Sequence, residues 1–563
     1  MEKKNKLIIL GVVLLLLVAS GLTFAILTWN STMIKLGINT NCFTIDYTRG
    51  GDITGSLKLI NEEDLISNGK FTIKEGVGIS GVNIGINSNC SIEGYGRILL
   101  NVTNISSTFT IGDSKGALKY AVLNNTSNIT DIKSITSTSL NSQSFDIVAM
   151  GSITSGGVKD ILVRQLSNTE LYKYIIVIYV DNNLAGNDIT EGVFTGNISA
   201  DATQGLINAD YTLNRLYNLN NSIVLDTTHT PDFTTVSGNN GKDNNNNTGL
   251  GDGTKGIYKS EDDFGTSYYF RGAVDNNYVK FADFYWRIIR INGDGTIRMI
   301  YAGTEAHTNG ESGTDSRIGT SKYNVNYQDN GYVGYMYGNF TTPTNCSTDD
   351  NNVTTCTGGS TSYEEAHANI NDSTIKTYID SWYNTYLSNY AYAIADTIYC
   401  NDRSVTPVES FAGIALTGTG KGTENTAYSG LTRGYISHNP SLKCVNKNDR
   451  FTVKNNIGNA KLTNPIGLIS SDEVIMGGLT NYDFVNDAYI ANPDSYLTTD
   501  YWYWTLTPLA AAGGDAGVIN VFDGILRGGD GVLNGGGVRP VVSLSSDAIS
   551  GGNGTINNPW IAE

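Results

Sequence analysis

Short apolar segments alternate with turn residues from about residue 38 to residue 205, and this pattern constrains the fold more than any other feature. The clearest segments are CFTIDYT, GSLKLI, GRILLNVTNIS, ALKYAVL, SFDIVAM, KYIIVIYVD and GVFTGNISADA. Their length, number and Gly/Asn/Ser-rich separators are typical of an all-β sandwich. Residues 174–180 are apolar at successive positions, so we expect a central strand that is buried on both faces.

An uncharged apolar segment covers residues 7–29, and three lysines lie among the six residues before it. About 20 apolar residues span a bilayer as a helix, and the lysines orient the N-terminus toward the cytoplasm. The segment is either an uncleaved signal anchor in the cytoplasmic membrane or a secretory signal peptide cut after Ala25, where TFA supplies the small residues of a cleavage site. Both interpretations place the remaining chain outside the cytoplasm, at the cell surface or secreted.

The cysteines are consistent with export. An even number of cysteines in an extracytoplasmic chain indicates disulfides. Cys42 and Cys90 lie together in the first half and are expected to pair there, whereas the other four allow three pairings. We favour Cys346–Cys356, which closes a short polar loop, together with Cys400–Cys444. No CxxC spacing is present and the chain has 4 histidines, so we expect no metal and no cofactor.

The composition excludes some partners. The net charge is −17 and charged residues make up 16% of the chain. Without a basic stripe the protein has nothing to neutralise phosphates, so nucleic acid is not an expected partner. The 64 glycines and 33 tyrosines are typical of a β-rich chain with many turns, and Tyr, Ser, Gly and Asn also dominate adaptable recognition surfaces.

Four parts are predicted along the chain: a signal segment (1–29), a β-sandwich (30–205), a helix with an Asn/Gly-rich linker (206–256) and an α+β domain of ligand-binding type (257–563). The linker SGNNGKDNNNNTGLGDGTKG cannot build a core.

The α+β domain is expected to begin with strands in SYYFRGAVDNNYVKF and a hairpin in YWRIIRINGDGTIRMIYAG. A 3.6-residue period predicts a helix from Ser373 to about Asp396, capped by Asp372 or Ser373. A second helix is predicted at Ser470, where Glu473 completes a capping box. Short strands in YWYWTLTP, GVINVFDGIL and GVRPVVSLS follow, and this mixture indicates an α+β fold.

Several linked motifs in the second half resemble those of a family. They are DDFGTSYYFRGAVDNNYVKF, WRIIRINGDGTIRMIY, IADTIYCNDRS, PSLKCVNKNDRFTV, GLISSDEVIMGG, YWYWTLTP and GVRPVVSLSSDAISGGNGTINNPWI. They resemble uncharacterised surface proteins of Gram-positive gut bacteria. The WTLTP-to-GVRP region is similar to the fold of C-type lectins and formylglycine-generating enzymes, which implies a sugar- or protein-binding domain.

The first half has a resemblance of its own. The segment YVDNNLAGNDITEGVFTGNISADATQ and the sandwich architecture are similar to camelysin- and TasA-type secreted matrix proteins. This resemblance implies a surface-associated β-sandwich unit, and some proteins of that type form fibres.

Catalytic motifs are scarce. The sequence contains no HExxH, GxSxG or Walker pattern. The nearest acid–base cluster, Glu364, Glu365 and His367, is interpreted as a solvated surface before a helix, because adjacent carboxylates on a helix do not converge on one substrate.

The CNDRS motif at residues 400–404 is a second candidate for a chemical role. Asp402 and Arg403 are interpreted as a local structural pair beside Cys400. The resemblance to formylglycine-generating enzymes implies one enzyme alternative, a copper site at Cys400 and Cys444.

The predicted binding surface combines an aromatic run with the loops of LAAAGGDAGVINVFDGILRGGDGVLNGGG. If the run is a strand, alternation buries one aromatic pair and exposes the other. The Gly-rich loops are interpreted as ordinary hairpins. The lectin resemblance implies an alternative, in which retroelements randomise the codons of these loops and this chain is one of many variants. The residues assigned to ligand binding are Tyr501, Trp502, Tyr503, Trp504, Asp515, Asn520, Asp523, Arg527, Asp530 and Asn534.

These observations favour an extracytoplasmic adhesin or ligand-binding protein without catalytic activity. Its expected ligand is an unknown glycan or surface protein. A structural subunit of a surface fibre or biofilm matrix is the first alternative, and the cysteine/copper oxidase is the second.

Overall fold

A computed structural model gives the fold of most of the chain. It describes residues 25–29, 43–51, 53–88, 94–125, 129, 131–167, 170–204, 206–217, 225–226, 233, 256–311, 313–411, 413–481 and 494–562. Cys42, Cys90 and nearly all of the predicted linker lie outside these residues, as do the first 24 residues of the signal segment.

The first module is a pair of sheets. In one sheet the strand order is β11-β8-β13-β1-β3, and in the other it is β2-β7-β12-β9-β10-β6-β5, with β4 beside β12. The strand bounds are β1 (Ala25–Trp29), β2 (Phe43–Arg49), β3 (Thr54–Leu57), β4 (Leu59–Ile60), β5 (Ile66–Ser67), β6 (Lys70–Thr72), β7 (Gly78–Ser88), β8 (Gly94–Ile105), β9 (Leu118–Asn124), β10 (Ser144–Ser152), β11 (Gly157–Leu166), β12 (Leu171–Asp181) and β13 (Val193–Gln204).

The two sheets of this module pack face to face. Leu100 of β8 and Ile198 of β13 share one core with Val122 of β9 and Ile176 of β12. Burial of such apolar area contributes about 25 cal/mol per Å². The shared core holds the two sheets together as a sandwich.

Strand β12 lies inside its sheet and is buried on both faces. Ile176 and Ile178 point into the core between the sheets, while Ile175 and Val177 enter a second core with Phe71. Successive side chains of a strand point to opposite faces, so a strand without polar positions needs cover on both sides. The predicted central strand is confirmed.

The end of the apolar N-terminal segment is a strand. Ala25–Trp29 forms β1, which pairs in parallel with β13 and antiparallel with β3. The prediction of a helix as far as Trp29 is therefore wrong for these residues, because the ladders on both sides satisfy the backbone groups of β1. Among the residues that the structure describes, no helix is long and apolar enough to cross a bilayer.

The second module contains most of the helices. The bounds of all described helices are α1 (Ser107–Thr110, in the first module), α2 (Ala209–Tyr217), α3 (Tyr363–Ala366), α4 (Thr374–Tyr386), α5 (Ser429–Leu431) and α6 (Ser471–Met476). A π-helical turn, Thr432–Ile436, continues α5.

The strands of the second module form two larger sheets and several short ribbons. One large sheet has the order β14-β15-β16-β18-β17-β37-β36, with β19 between β18 and β35, and the other has the order β20-β34-β31-β32-β33-β30, with β28 beside β31. The bounds are β14 (Leu225–Asp226), β15 (Gly256–Asp262), β16 (Gly265–Arg271), β17 (Tyr278–Phe281), β18 (Phe284–Ile291), β19 (Ile297–Gly303), β20 (Thr320–Ser321), β21 (Met336–Tyr337), β22 (Thr344–Thr348), β23 (Thr354–Thr357), β24 (Asn371–Asp372), β25 (Tyr399–Cys400), β26 (Val408–Phe411), β27 (Ile414–Leu416), β28 (Thr426–Ala427), β29 (Arg450–Phe451), β30 (Thr480–Asn481), β31 (Tyr503–Ala512), β32 (Asp515–Phe522), β33 (Ile525–Gly531), β34 (Gly536–Gly537), β35 (Val541–Leu544), β36 (Ile549–Gly551) and β37 (Trp560–Ala562).

The predicted helix starts are both confirmed. The Ser373 side chain accepts a hydrogen bond from the Lys376 N–H and caps α4, and Ser470 with Glu473 forms the capping box of α6. The predicted end of α4 at Asp396 is wrong, because the helix stops at Tyr386. Ser and Asn follow directly, and their side chains compete for backbone hydrogen bonds and favour turns.

Helix α2 joins the two modules. Leu213 and Leu216 pack into the core of the second module, while Tyr211 meets Tyr95 of β8 edge to face at 5.0 Å. Within the predicted helix-and-linker segment (206–256), residues Ala209–Tyr217 thus form a helix that connects the two modules.

Candidate functional site

The predicted binding segment forms two hairpins, β31–β32 and β32–β33. Gly513 and Gly514 close the first, with φ of 60° and 74°, and Asp523 and Gly524 close the second, with φ of 48° and 74°. Two successive left-handed residues are the requirement of a type I′ turn, whose twist matches that of the strands. The glycines therefore serve the turns, and the hairpins present the remaining side chains on a rigid sheet.

Four of the predicted residues form one group on this sheet, here called the carboxylate–amide cluster: Asp515, Asn520, Asp530 and Asn534. The Asp530 carboxylate accepts hydrogen bonds from Asn520 Nδ2 at 2.8 Å and from Asn534 Nδ2 at 3.3 Å. A Cβ atom at Gly531 would lie 2.7 Å from Asp515 Oδ1. Glycine at that position therefore lets the Asp515 carboxylate lie against β33.

The two carboxylates of the cluster affect each other. Partial burial raises the pKa of Asp515, and the nearby charge of Asp530 raises it further. In the described part of the chain, no ion pair involves either carboxylate. Asn520 is buried with its Oδ1 unpartnered among the described residues, whereas Asp515 and Asn534 are exposed. The cluster offers acceptors for a ligand's hydroxyl, ammonium or guanidinium groups.

The four aromatic residues 501–504 differ in burial. Tyr503 and Trp504 are buried; the Tyr503 hydroxyl donates to Leu497 O at 2.9 Å, and Trp504 Nε1 donates to Ser321 O at 3.0 Å. Tyr501 and Trp502 are half-buried. The predicted alternation is wrong, because β31 begins at Tyr503 and the first two rings precede the strand.

Tyr501 and Trp502 form a small, half-buried stack. Their rings are nearly parallel, with centroids 6.4 Å apart, and the Arg317 guanidinium lies 4.0 Å from the centre of the Tyr501 ring. Such cation–π contacts contribute about 0.5–1 kcal/mol at exposed sites. Sequence analysis missed Arg317, because nothing local to that residue indicates its aromatic partner.

Exposed apolar side chains adjoin the first hairpin. Val325, Tyr327 and Val353 are exposed, and the Ala516 N–H donates to Tyr327 O at 2.7 Å. A Cβ atom at Gly514 would lie 2.7 Å from Thr354 on β23. Loop 325–327 and the β22–β23 hairpin therefore adjoin the predicted binding segment, and the sequence analysis did not include them.

The remaining two predicted residues lie nearer the second turn. Asp523 is exposed in the turn itself. Arg527 is directly opposite Asn520 in the β32–β33 register, and its guanidinium lies 5.8 Å from the centre of the Phe522 ring. Among the described residues, no hydrogen bond joins Asp523 to the carboxylate–amide cluster.

Among the cysteines that the structure describes, two disulfides are formed, Cys346–Cys356 and Cys400–Cys444. These are the two pairs that the sequence analysis favoured. The first links β22 to β23 beside the predicted binding surface. The second lies beside a cavity of about 30 Å³, which has room for one or two water molecules.

The interpretation of Asp402 and Arg403 as a local pair is wrong. Arg403 Nε donates to Asp449 Oδ1 at 2.7 Å, and both side chains are fully buried. Asp402 instead accepts from Arg433 at 2.6 Å. Adjacent side chains of extended backbone point to opposite sides, so each finds a partner that is distant in sequence.

The solvated-surface interpretation of the Glu364–His367 group holds for Glu364, which is exposed, but is wrong for His367. Glu364 and Glu365 lie within the one-turn helix α3 rather than before a helix. His367 is buried, with its ring 4.5 Å from that of Tyr363. Burial and the charge of Arg403 hold the pKa of His367 well below its ordinary value, so the imidazole is neutral.

No group of His, Cys, Asp and Glu in the described ranges is arranged to hold a metal ion. Comparison with known proteins finds no matching family model, no matching curated protein and no matching solved structure. The resemblances given above stay predictions.

Proposed function

We propose that the protein is an extracytoplasmic ligand-binding protein, of adhesin type, that binds a glycan or a surface protein through the β31–β33 sheet. The observation that carries the proposal is the carboxylate–amide cluster. The two carboxylates repel each other in the free protein, and no described cation offsets this repulsion. A ligand that donates hydrogen bonds to them would lower the free energy of the pair.

The surroundings of the cluster also support binding. The Tyr501–Trp502 stack and the exposed side chains of Val325, Tyr327 and Val353 supply apolar surface near the acidic group. Aromatic anchors with adjacent polar groups are typical of recognition surfaces. The proposed ligand therefore combines hydrogen-bond donors with an apolar face.

An array of glycans and bacterial surface proteins, probed with the chain from Ile26 onward, tests this proposal. We expect a ligand whose affinity falls at least about tenfold, or 1.4 kcal/mol, in Asp515→Asn and in Trp502→Ala. Asp64→Asn, which changes an exposed carboxylate of the first module, is the control and should bind like the wild type. Absence of any ligand, or equal binding by all variants, would contradict the proposal.

The location of the protein is part of the same proposal. Disulfides are typical of extracytoplasmic proteins, and two are present. Cleavage after Ala25 would leave residues 26–29 of β1 in the sheet and would release the protein. N-terminal sequencing of the protein from producing cells distinguishes release from anchoring, and finding the intact protein in the cytoplasm would contradict both.

A fibre subunit remains the alternative, and one observation makes it less favoured. Strand β11 is the edge of its sheet, and edge strands are the surfaces through which sheets polymerise. The Val163 N–H of β11 donates to Asp547 of the second module at 3.1 Å. The second module therefore occupies part of this edge, which leaves less of it for another copy of the chain. Fibres of the purified chain on electron micrographs would favour the structural role instead.

A further inference from the structure

Lys376 is a buried lysine on the first turns of α4. Its side chain is 1% exposed, and its Nζ lies 3.2 Å from Asp372 and 2.8 Å from Asp380. Lysine is almost never fully buried unless it is paired. The two carboxylates explain its charge balance, but they do not explain why a lysine occupies this position.

Asp380 also accepts a hydrogen bond from the side chain of Asn464. Its Oδ2 accepts from Lys376 Nζ, and its Oδ1 accepts from Asn464 Nδ2 at 2.9 Å. The two oxygens of a carboxylate share one carbon, so a single side chain holds a primary amine and a primary amide next to each other. Asn464 is itself buried, with 9% exposed.

Apolar and aromatic side chains surround the amine of this triad, while Asp380 is 16% exposed. Tyr323 and Tyr335 are fully buried beside the start of α4, and Ile375 and Ile379 belong to the same core. Burial of the Lys376 side chain limits its contact with water, and this strengthens its electrostatic contacts.

We propose that Lys376 and Asn464 are joined by an intramolecular amide bond, formed with Asp380 as the proton-transfer group. An amine, an amide and a carboxylate that is hydrogen-bonded to the nitrogen of each are the groups that acyl transfer requires. Because one carboxylate holds both groups, most of the entropic cost of bringing them together is already met in the fold.

The reaction balances without an added reagent. Asp380 takes a proton from the Lys376 ammonium, and the neutral Nζ attacks Cγ of Asn464. The new C–N bond forms, Asp380 returns the proton to Nδ2, and the bond from Cγ to Nδ2 breaks with release of ammonia. The ammonia then takes the second proton that Nζ loses as the secondary amide forms. The ammonium and the primary amide become a secondary amide and one ammonium ion, with no change in oxidation state.

The bond would tie α4 to the loop at Asn464. The chain between the two residues contains both cysteines of the Cys400–Cys444 disulfide. The amide would thus enclose this disulfide within a larger loop. Unlike the disulfide, it would not be broken by reducing agents, and closing a long loop destabilises the unfolded chain.

Intact mass spectrometry of the reduced chain from Ile26 onward tests the proposal. We expect a mass lower than that of the sequence by one molecule of ammonia. Trypsin should fail to cut after Lys376, and a branched peptide should join the Lys376 segment to the Asn464 segment. A full sequence mass without a branched peptide, or the mass gain of simple deamidation at Asn464, would overturn the proposal.

Variants assign the chemistry to the three residues. Lys376→Arg, Asn464→Ala and Asp380→Asn should each keep the full sequence mass. Asn464→Asp should lose one water molecule in place of ammonia. Lys421→Arg, at a lysine with a half-exposed side chain beside Glu424, is the control and should lose ammonia like the wild type. Because the wild-type peptide map decides the outcome alone, a variant that fails to fold leaves the test intact.

Discussion

Charged residues are few in this chain, and several of them are buried in pairs. Arg290 and Arg298 both contact the Glu473 carboxylate inside the second module, and all three side chains are at most 9% exposed. Burial alone would raise the pKa of Glu473, but the charges of Arg298 and Arg290 lower it to about 2. Such pairs contribute to a unique packing only while each partner is present.

Replacing Glu473 by Gln should lower the free energy of unfolding at neutral pH by about 3–5 kcal/mol, because Arg298 loses its buried carboxylate partner and Arg290 keeps only Asp262. The folded-state pKa of about 2 is below the ordinary 4.5, so this carboxylate stabilises the fold fully above about pH 4.5. Its contribution, on the order of 3 kcal/mol, is lost as the pH falls from 4.5 toward 2.

Urea unfolding of the wild type and of Glu473→Gln between pH 7 and pH 2 checks this prediction. The difference between the two proteins should shrink as the pH falls below 4.5. Glu364→Gln, at an exposed glutamate in the first turn of α3, is the matched control and should unfold like the wild type. A difference that stays constant with pH would contradict the assignment.

At the scale of elements, the β17–β18 hairpin has an unusual turn. Ala282 and Asp283 occupy its two central positions with φ of 51° and 63°. The β32–β33 turn has glycine at the second such position, and Asn-Gly is the sequence that this turn type favours. Left-handed backbone costs a residue with a Cβ atom about 1–2 kcal/mol.

Asp283→Gly should therefore stabilise the protein by about 0.5–1 kcal/mol, since it removes this backbone strain. The reciprocal change, Gly265→Ala, should destabilise by about 1 kcal/mol. Gly265 has φ of 114° and no atom within 4 Å of a Cβ position, so only its backbone resists alanine. Urea midpoints with unchanged m values measure both, and equal midpoints for all three proteins would show that the turns carry no strain.

At the scale of the whole molecule, helix α2 attaches the second module to the sandwich. The Arg215 guanidinium donates to the carbonyl of Ser546 and, at 2.9 Å, to that of Ile549. The neighbouring Asp547 is the residue that accepts from Val163 of the sandwich. Arg215 thus holds the segment that contacts β11.

Arg215→Ala should weaken the attachment by about 2 kcal/mol, because buried carbonyls lose a charged donor. In differential scanning calorimetry the variant should show wider separation between the transitions of the two modules. Lys115→Ala, at an exposed position of the sandwich, should leave the thermogram unchanged. If Arg215→Ala also leaves it unchanged, the modules do not depend on this contact.

Most strands of the sandwich coincide with the predicted apolar segments, but β7 and β11 lie outside those segments. Strand β7, GISGVNIGINS, contains glycines that lower β propensity. A Cβ atom at Gly81 would lie 2.5 Å from the Ile132 side chain, so the tertiary contact selects glycine there. Strand β11 escaped prediction because Lys159, Asp160 and Arg164 interrupt its apolar pattern.

Features that depend on neighbours along the chain could be predicted from the sequence: the doubly buried strand β12, the caps of α4 and α6, and the turn glycines of the β31–β33 sheet. Packing of distant segments selected the partners of Asp402 and Arg403 and the burial of each ring in the aromatic run. It also brought Lys376 to Asn464 through Asp380. Periodicity encodes which face of an element is buried, but pairings between distant residues arise only when separate elements pack together.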